Sequence, residues 1–110
     1  FQYPNVNFND RSSVLATAKA LEDTGVAAYN DAGKYITNPA YLVIAGKIVS
    51  VEARHASAIR NLINPGSADF SGDDVVDANG LDVAKEPKDI VMAAGGFIKT
   101  RFTWKERGIS

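Results

Sequence analysis

Residues 38–66, "NPAYLVIAGKIVSVEARHASAIRNLINPG", decide the fold. Asn38 has the side chain of a helix N-cap, and Pro39 follows at the first helical position, where a missing N–H costs nothing. At the other end "NPG", Asn64 to Gly66, terminates the helix. Between these signals Tyr41, Ala45, Ile48, Glu52, His55, Ile59 and Leu62 recur at a 4-3-4-3 spacing, the seam along which one helix packs on others. The spacing predicts a helix over 38–63 with Glu52 and His55 on its buried seam. His55 is the single histidine of the chain.

The preceding stretch has the same period. From Ser12 to Ile36, Val14, Ala18, Leu21, Gly25, Ala28, Ala32 and Tyr35 form one ridge, and Leu15, Glu22, Tyr29 and Ile36 form its neighbour. A helix over 12–36 is expected, capped by Asp10 or Ser12. Gly25 and Gly33 each weaken it by about 1 kcal/mol relative to Ala, which predicts close helix packing at both points. Only two or three residues separate the helices, so they form an antiparallel hairpin. Glu22 and Glu52 each lie about 15 residues from the turn, roughly 22 Å along the axis at 1.5 Å per residue. His55 lies about one turn beyond Glu52. Spacing therefore sets Glu22, Glu52 and His55 at one depth of the hairpin.

That trio has a chemical meaning. Dinuclear carboxylate bundles take one Glu from each of two helices and Glu-x-x-His from each of two others. The mixture of hard oxygen and imidazole suits iron or manganese. A buried glutamate is costly unless paired or metal-bound. The residues leave two readings open: a metal site, or a hydrogen-bonded Glu22–His55–Glu52 cluster without metal.

Composition bounds the alternatives. The chain has 110 residues, 45% hydrophobic and 23% charged, the balance of one small globular domain. Its net charge of −1 gives no reason to expect nucleic acid or an anionic membrane as partner. No apolar run approaches the roughly 20 residues of a membrane-spanning helix. Cysteine is absent, which removes disulfides, thiolate catalysis and cysteine-based zinc sites. With one histidine and no cysteine there is no convincing nucleophile–base pair for hydrolysis.

The rest of the chain reads as an extended lead-in (1–11), an acidic loop (64–86), a short helix (87–98) and a tail (99–110). The loop gathers Asp69, Asp73, Asp74, Asp77 and Asp82, but it lacks the glycine and closing glutamate of a calcium-binding EF-hand loop. It is expected to be solvated, anchored by Phe70, Val75 and Val76. In "FIKTRFTWKERG", residues 97–108, Lys99, Arg101, Lys105 and Arg107 alternate with Phe97, Phe102 and Trp104. Packing of these aromatics onto the bundle is a better reading than a single-stranded nucleic-acid site. Tyr29 and Tyr35 read as core aromatics, with a redox role beside a metal as the other option.

The stretches "ALEDTGVAAYNDAGKYI" (20–36) and "AGKIVSVEARHASAIR" (45–60) resemble the second half of the ferritin-like domains of bacterial secreted proteins, some labelled desiccation-related. In that family a helix with a Glu, followed by "TGV" and a Tyr, precedes a helix carrying Glu-x-x-His. Glu22, Glu52 and His55 match those positions. The lead-in with Phe1, Tyr3, Pro4 and Phe8, and "AKEPKDIVMAAGGFI" (84–98), look like the family's flanking segments.

The resemblance implies an all-α half-bundle binding iron or manganese, with redox or metal-handling chemistry and a periplasmic or extracellular location. The competing reading is a non-catalytic structural or stress-associated bundle without metal. The family's other hairpin, with its own Glu and Glu-x-x-His, is not in these residues. Two helices of about 25 residues cannot bury continuous apolar seams against each other alone. The expectation is that a missing N-terminal half, or a second copy in a homo-oligomer, completes the bundle.

Overall fold

The computed structural model describes residues 1–100. It is all-helical, with α1 (Arg11–Ala32), α2 (Pro39–Ile63) and α3 (Pro87–Ala94) as its helices. A 3-10 turn over Gly33–Tyr35 ends α1, and others occupy Ala68–Ser71 and Gly95–Phe97. No strand occurs among the described residues; an isolated antiparallel bridge joins Val76 and Asp82. No described helix is long and apolar enough to cross a membrane.

The helix ends follow local chemistry. Asp10 caps α1, its Oδ1 accepting from the Ser12 N–H at 2.9 Å. Asn38 caps α2 in the same manner through the Ala40 N–H at 2.9 Å, with Pro39 at the first position. These caps satisfy donors that a helix start leaves without partners. After Asn64 the chain turns through Gly66, whose φ of 75° belongs to the left-handed region open to glycine.

The contact line between α1 and α2 differs from the heptad seam. The buried side chains are Val26, Ala27 and Asp31 on α1, and Ala45, Ala56 and Arg60 on α2. On α2 this line runs through Ala45, Val49, Ala53, Ala56 and Arg60. Tyr41, His55 and Leu62, expected on the buried seam, are exposed. The physical reason is size. Alanines let two backbones approach closely, so the helices meet along the small-residue ridge; Ala45 is common to both lines, Ile48 and Ile59 stay half-buried, and Tyr41, His55 and Leu62 turn outward. Glu22 and Glu52 remain half-buried at the edge of the contact.

Gly25 also departs from expectation. A Cβ built there would meet nothing within 4 Å, so no close packing among the described residues explains this glycine. At Gly33 the Leu42 Cδ1 lies 3.8 Å from such a Cβ, an ordinary contact across the turn.

The segment after α2 covers one side of the hairpin. Lys85 N–H donates to the Ala27 carbonyl at 3.1 Å, and Asn30 Nδ2 to the Val83 carbonyl at 3.4 Å. The chain then enters α3, which packs against α1. The lead-in closes onto the end of this layer: Gln2 N–H donates to the Phe97 carbonyl at 2.8 Å, and the Tyr3 ring lies 6.2 Å from that of Phe97. Among the described residues the opposite side carries no such layer. Ile44, Val51 and Leu62 are exposed there, and no large side chain is fully buried among the described residues. The radius of gyration, 14.9 Å, exceeds the roughly 13 Å of a compact domain this long.

Candidate metal centre

Glu22 stands near the middle of α1, and Glu52 and His55 stand one turn apart on α2. The antiparallel hairpin brings one ligand atom of each within 4.8 Å of the others. Among the described residues this is the one place where three acidic or histidine side chains so converge. The His55 Nδ1 lies 3.5 Å from Glu22 Oε1 and 3.4 Å from Glu52 Oε2. The three residues named by spacing do meet, at the level that counting from the turn predicts.

Their environment is graded. The Glu22 side chain is 26% exposed, Glu52 32% and His55 55%. The trio opens toward the uncovered side of the hairpin. Burial pushes the Glu22 carboxyl above the usual carboxylate range, and the neighbouring Glu52 carboxylate adds to this by hydrogen bonding and by charge. His55 pulls in the opposite direction, with less effect. Two carboxylates this close resist carrying two negative charges, and a proton or a cation relieves them. Two carboxylates and one imidazole are a donor set that fits iron or manganese, leaving coordination positions to be filled from outside this hairpin.

Tyr29 and Tyr35 divide. Tyr29 is half-buried two turns from Glu22. Tyr35 lies in the 3-10 turn, about 19 Å along the hairpin from Glu22 by helix rise. The Lys34 ammonium sits 5.0 Å from its ring centroid. Arg101, Phe102, Trp104, Lys105 and Arg107 lie outside the described residues.

The sequence reasoning missed a second cluster. Arg60 is 3% exposed. Its Nε and Nη2 donate to Asp23 Oδ1 and Oδ2 at 3.1 and 2.7 Å. Its Nη1 and Nη2 donate to Asp74 Oδ1 and Oδ2 at 2.9 and 2.7 Å, and Nη1 also reaches the Asp69 carbonyl at 3.1 Å. The guanidinium holds the Asp74 carboxyl below its ordinary range. Its own ionisation is pushed further up by Asp74 and Asp23. Asp74 was expected to be part of a solvated loop; its side chain is 60% exposed, and it also ties the loop to the hairpin. Asp77 organises the remainder, its Oδ1 accepting from the Asn79 and Leu81 N–H groups at 2.8 and 3.0 Å. A cavity of about 210 Å³ lies under this loop, walled by Val26, Ala53, Ala56, Phe70, Val75 and Val83.

The Arg60 clasp and the Glu22–Glu52–His55 trio are on different sides of the hairpin. Asp23 directs its carboxylate to Arg60 while its neighbour Glu22 meets His55. Adjacent helical residues point about 100° apart, so the two charged systems are kept separate by helix geometry.

Comparison with curated proteins and with solved structures gave no significant match. A family model described as the ferritin-like domain matches residues 1–65. That span includes the lead-in, both long helices and all three residues of the trio, and it ends before the loop and α3. It covers more than half of the chain: this protein belongs to the ferritin-like domain family.

Proposed function

We propose that this chain binds iron or manganese through Glu22, Glu52 and His55, as a ferritin-like protein of metal-handling or redox type. The observation that carries the reading is the convergence of the three donor groups from two helices within 4.8 Å. The half-burial of Glu22 beside a second carboxylate supports it, since a cation would offset both charges. The donors fit one ion with open positions, or one half of a dinuclear centre. When bound, such metals supply oxygen or peroxide chemistry. The residues of this chain would hold the ion, and the half-exposed imidazole would leave it reachable from solvent. Export to the periplasm or beyond, and a role in desiccation stress, belong to the same reading and rest on the hairpin's sequence resemblance.

A second reading has its own observation. The His55 Nδ1 lies near both carboxylates, so protons held among the three side chains would offset the two carboxylate charges without metal. The chain would then act as a structural or stress-associated bundle. Elemental mass spectrometry separates the two readings. Protein purified without chelator should carry near-stoichiometric iron or manganese, lost in a Glu52→Ala/His55→Ala variant. Absence of metal from both, after anaerobic loading of protein with intact helical circular dichroism, would rule out the metal reading.

A further inference from the structure

The loop after α2 is tied down by the Arg60 clasp but does not fill the space beneath it. A cavity of about 210 Å³ remains between the loop and the two long helices. Its floor is apolar: Val26 and Ala56, 7% and 6% exposed, come from α1 and α2, and Val75 and Val83 wall it from the loop. Its mouth is polar. Ser71 and Asp82 line it and are both exposed, and the antiparallel bridge to Val76 fixes Asp82 at that rim.

The charges on the walls select what can enter. Arg60 has five N–H donors, and all of them are spent on Asp23, Asp74 and the Asp69 carbonyl. None is left for a carboxylate or a phosphate. The Asp82 carboxylate, by contrast, has no hydrogen-bond or ion-pair partner among the described residues. Asp23 and Asp82 line the cavity with one guanidinium between them, so its walls are net negative. Size sets the second limit. A dry cavity of about 150 Å³ holds benzene, with six heavy atoms, so this one holds about eight. The geometry points to this cavity as a binding site for a small apolar amine, one ring or branched chain carrying a single ammonium. The apolar body occupies the floor between Val26 and Ala56, and the ammonium faces the Asp82 carboxylate at the mouth. The charge-assisted hydrogen bond then forms where water still reaches both ions, so neither is stripped of its hydration. The cavity is on a different side of the hairpin from Glu22, Glu52 and His55, and the site does not rest on the metal reading.

The test is titration of the isotope-labelled 110-residue chain with benzylamine at pH 7, followed by amide proton–nitrogen NMR. Benzylamine is a ring, one carbon and one nitrogen, about the eight heavy atoms that the volume allows. Amide shifts should centre on Phe70, Val75 and Val83 and saturate with a Kd of about 1 mM, the range open to so small a ligand. Benzyl alcohol, the neutral isostere, should bind roughly fivefold more weakly, and benzoate should cause no shifts. Asp82→Asn changes one exposed side chain and should abolish the preference for the amine with the fold intact. Ala56→Leu fills the floor and should remove binding of amine and alcohol alike; if it does not fold, Asp82→Asn still decides. Glu52→Gln/His55→Ala should bind benzylamine as the wild type does. No saturable shifts at about tenfold above the expected Kd, benzoate bound as well as the amine, or an amine preference that survives Asp82→Asn would each overturn the site. Shifts centred on Glu22 and His55 would assign the amine to the trio and overturn it as well.

Discussion

Replacing Arg60 by Ala tests the energetic centre of the fold. The guanidinium is 3% exposed and makes five charge-assisted or carbonyl hydrogen bonds between 2.7 and 3.1 Å. Removing one partner of a buried ion pair costs about 3–5 kcal/mol, because the groups left behind lose their compensation. Here the loss is not uniform. The Asp74 side chain is 60% exposed and regains water once released, whereas Asp23, at 21%, recovers less of its hydration. The expected destabilisation is therefore near the lower bound, about 3 kcal/mol. A domain of this length holds only about 5–15 kcal/mol in total, so the change removes a fifth or more of its stability.

Urea unfolding followed by far-ultraviolet circular dichroism measures this loss. With a slope of about 1–1.5 kcal/mol per molar, as befits a small domain, the midpoint should fall by roughly 2–3 M. Asp74→Asn should cost about 1 kcal/mol, and Asp23→Asn about 2, since the less exposed partner depends more on the pair. The two single variants should not add in the double variant, because both act through one guanidinium. A loss below about 1 kcal/mol for Arg60→Ala would refute the reasoning: the clasp would then be an ordinary surface pair, and the loop would be held to the hairpin by its apolar contacts alone.

The same clasp sets an acid limit. The Asp74 carboxyl is held below its ordinary range in the fold, so its contribution is complete above the unfolded value near 3.8 and is lost as pH falls through the lowered folded value. Thermal unfolding midpoints recorded downward from pH 5 should show a fall that Asp74→Asn flattens. Ala45 is 9% exposed on the α2 ridge that faces α1, and Ala45→Leu should destabilise by about 1–3 kcal/mol through overpacking, read from the urea midpoint. A neutral result there would mean that the helices stand farther apart than the alanine ridge implies.

The hairpin was legible because its signals are local and redundant. Asn38–Pro39 and Asn64–Pro65–Gly66 bound α2 by backbone chemistry that needs no tertiary context. Counting residues from a short turn set Glu22 level with Glu52 and His55, since both helices advance by the same rise. The facing of α2 was less legible. Two stripes share it: the heptad seam of Tyr41, Ala45, Ile48, Glu52, His55, Ile59 and Leu62, of which Ala45 is buried and Tyr41, His55 and Leu62 are exposed, and a line through Ala45, Ala53 and Ala56. Hydrophobicity ranks the first higher, yet the second permits a closer approach of backbones, and it is the second whose alanines are buried or half-buried.

Arg60 was illegible for a related reason. Read by polarity, an arginine in the last turn of a helix is a solvated side chain that suits the C-terminal dipole. Its true setting depends on position along the alanine ridge, four residues after Ala56, and on a loop that folds back to supply Asp74. Neither fact is local. The consequence is a hairpin with two unlike faces. One is closed by a loop whose Asp74 pairs with Arg60, and the other keeps Glu22, Glu52 and His55 beside an apolar stripe that is exposed among the described residues. Covering an apolar surface beside a charged cluster also takes water from the carboxylates, which then need a proton or a cation. Coverage of the α2 stripe and neutralisation of the trio are for that reason coupled, and a partner that buries the first without supplying charge to the second should bind weakly.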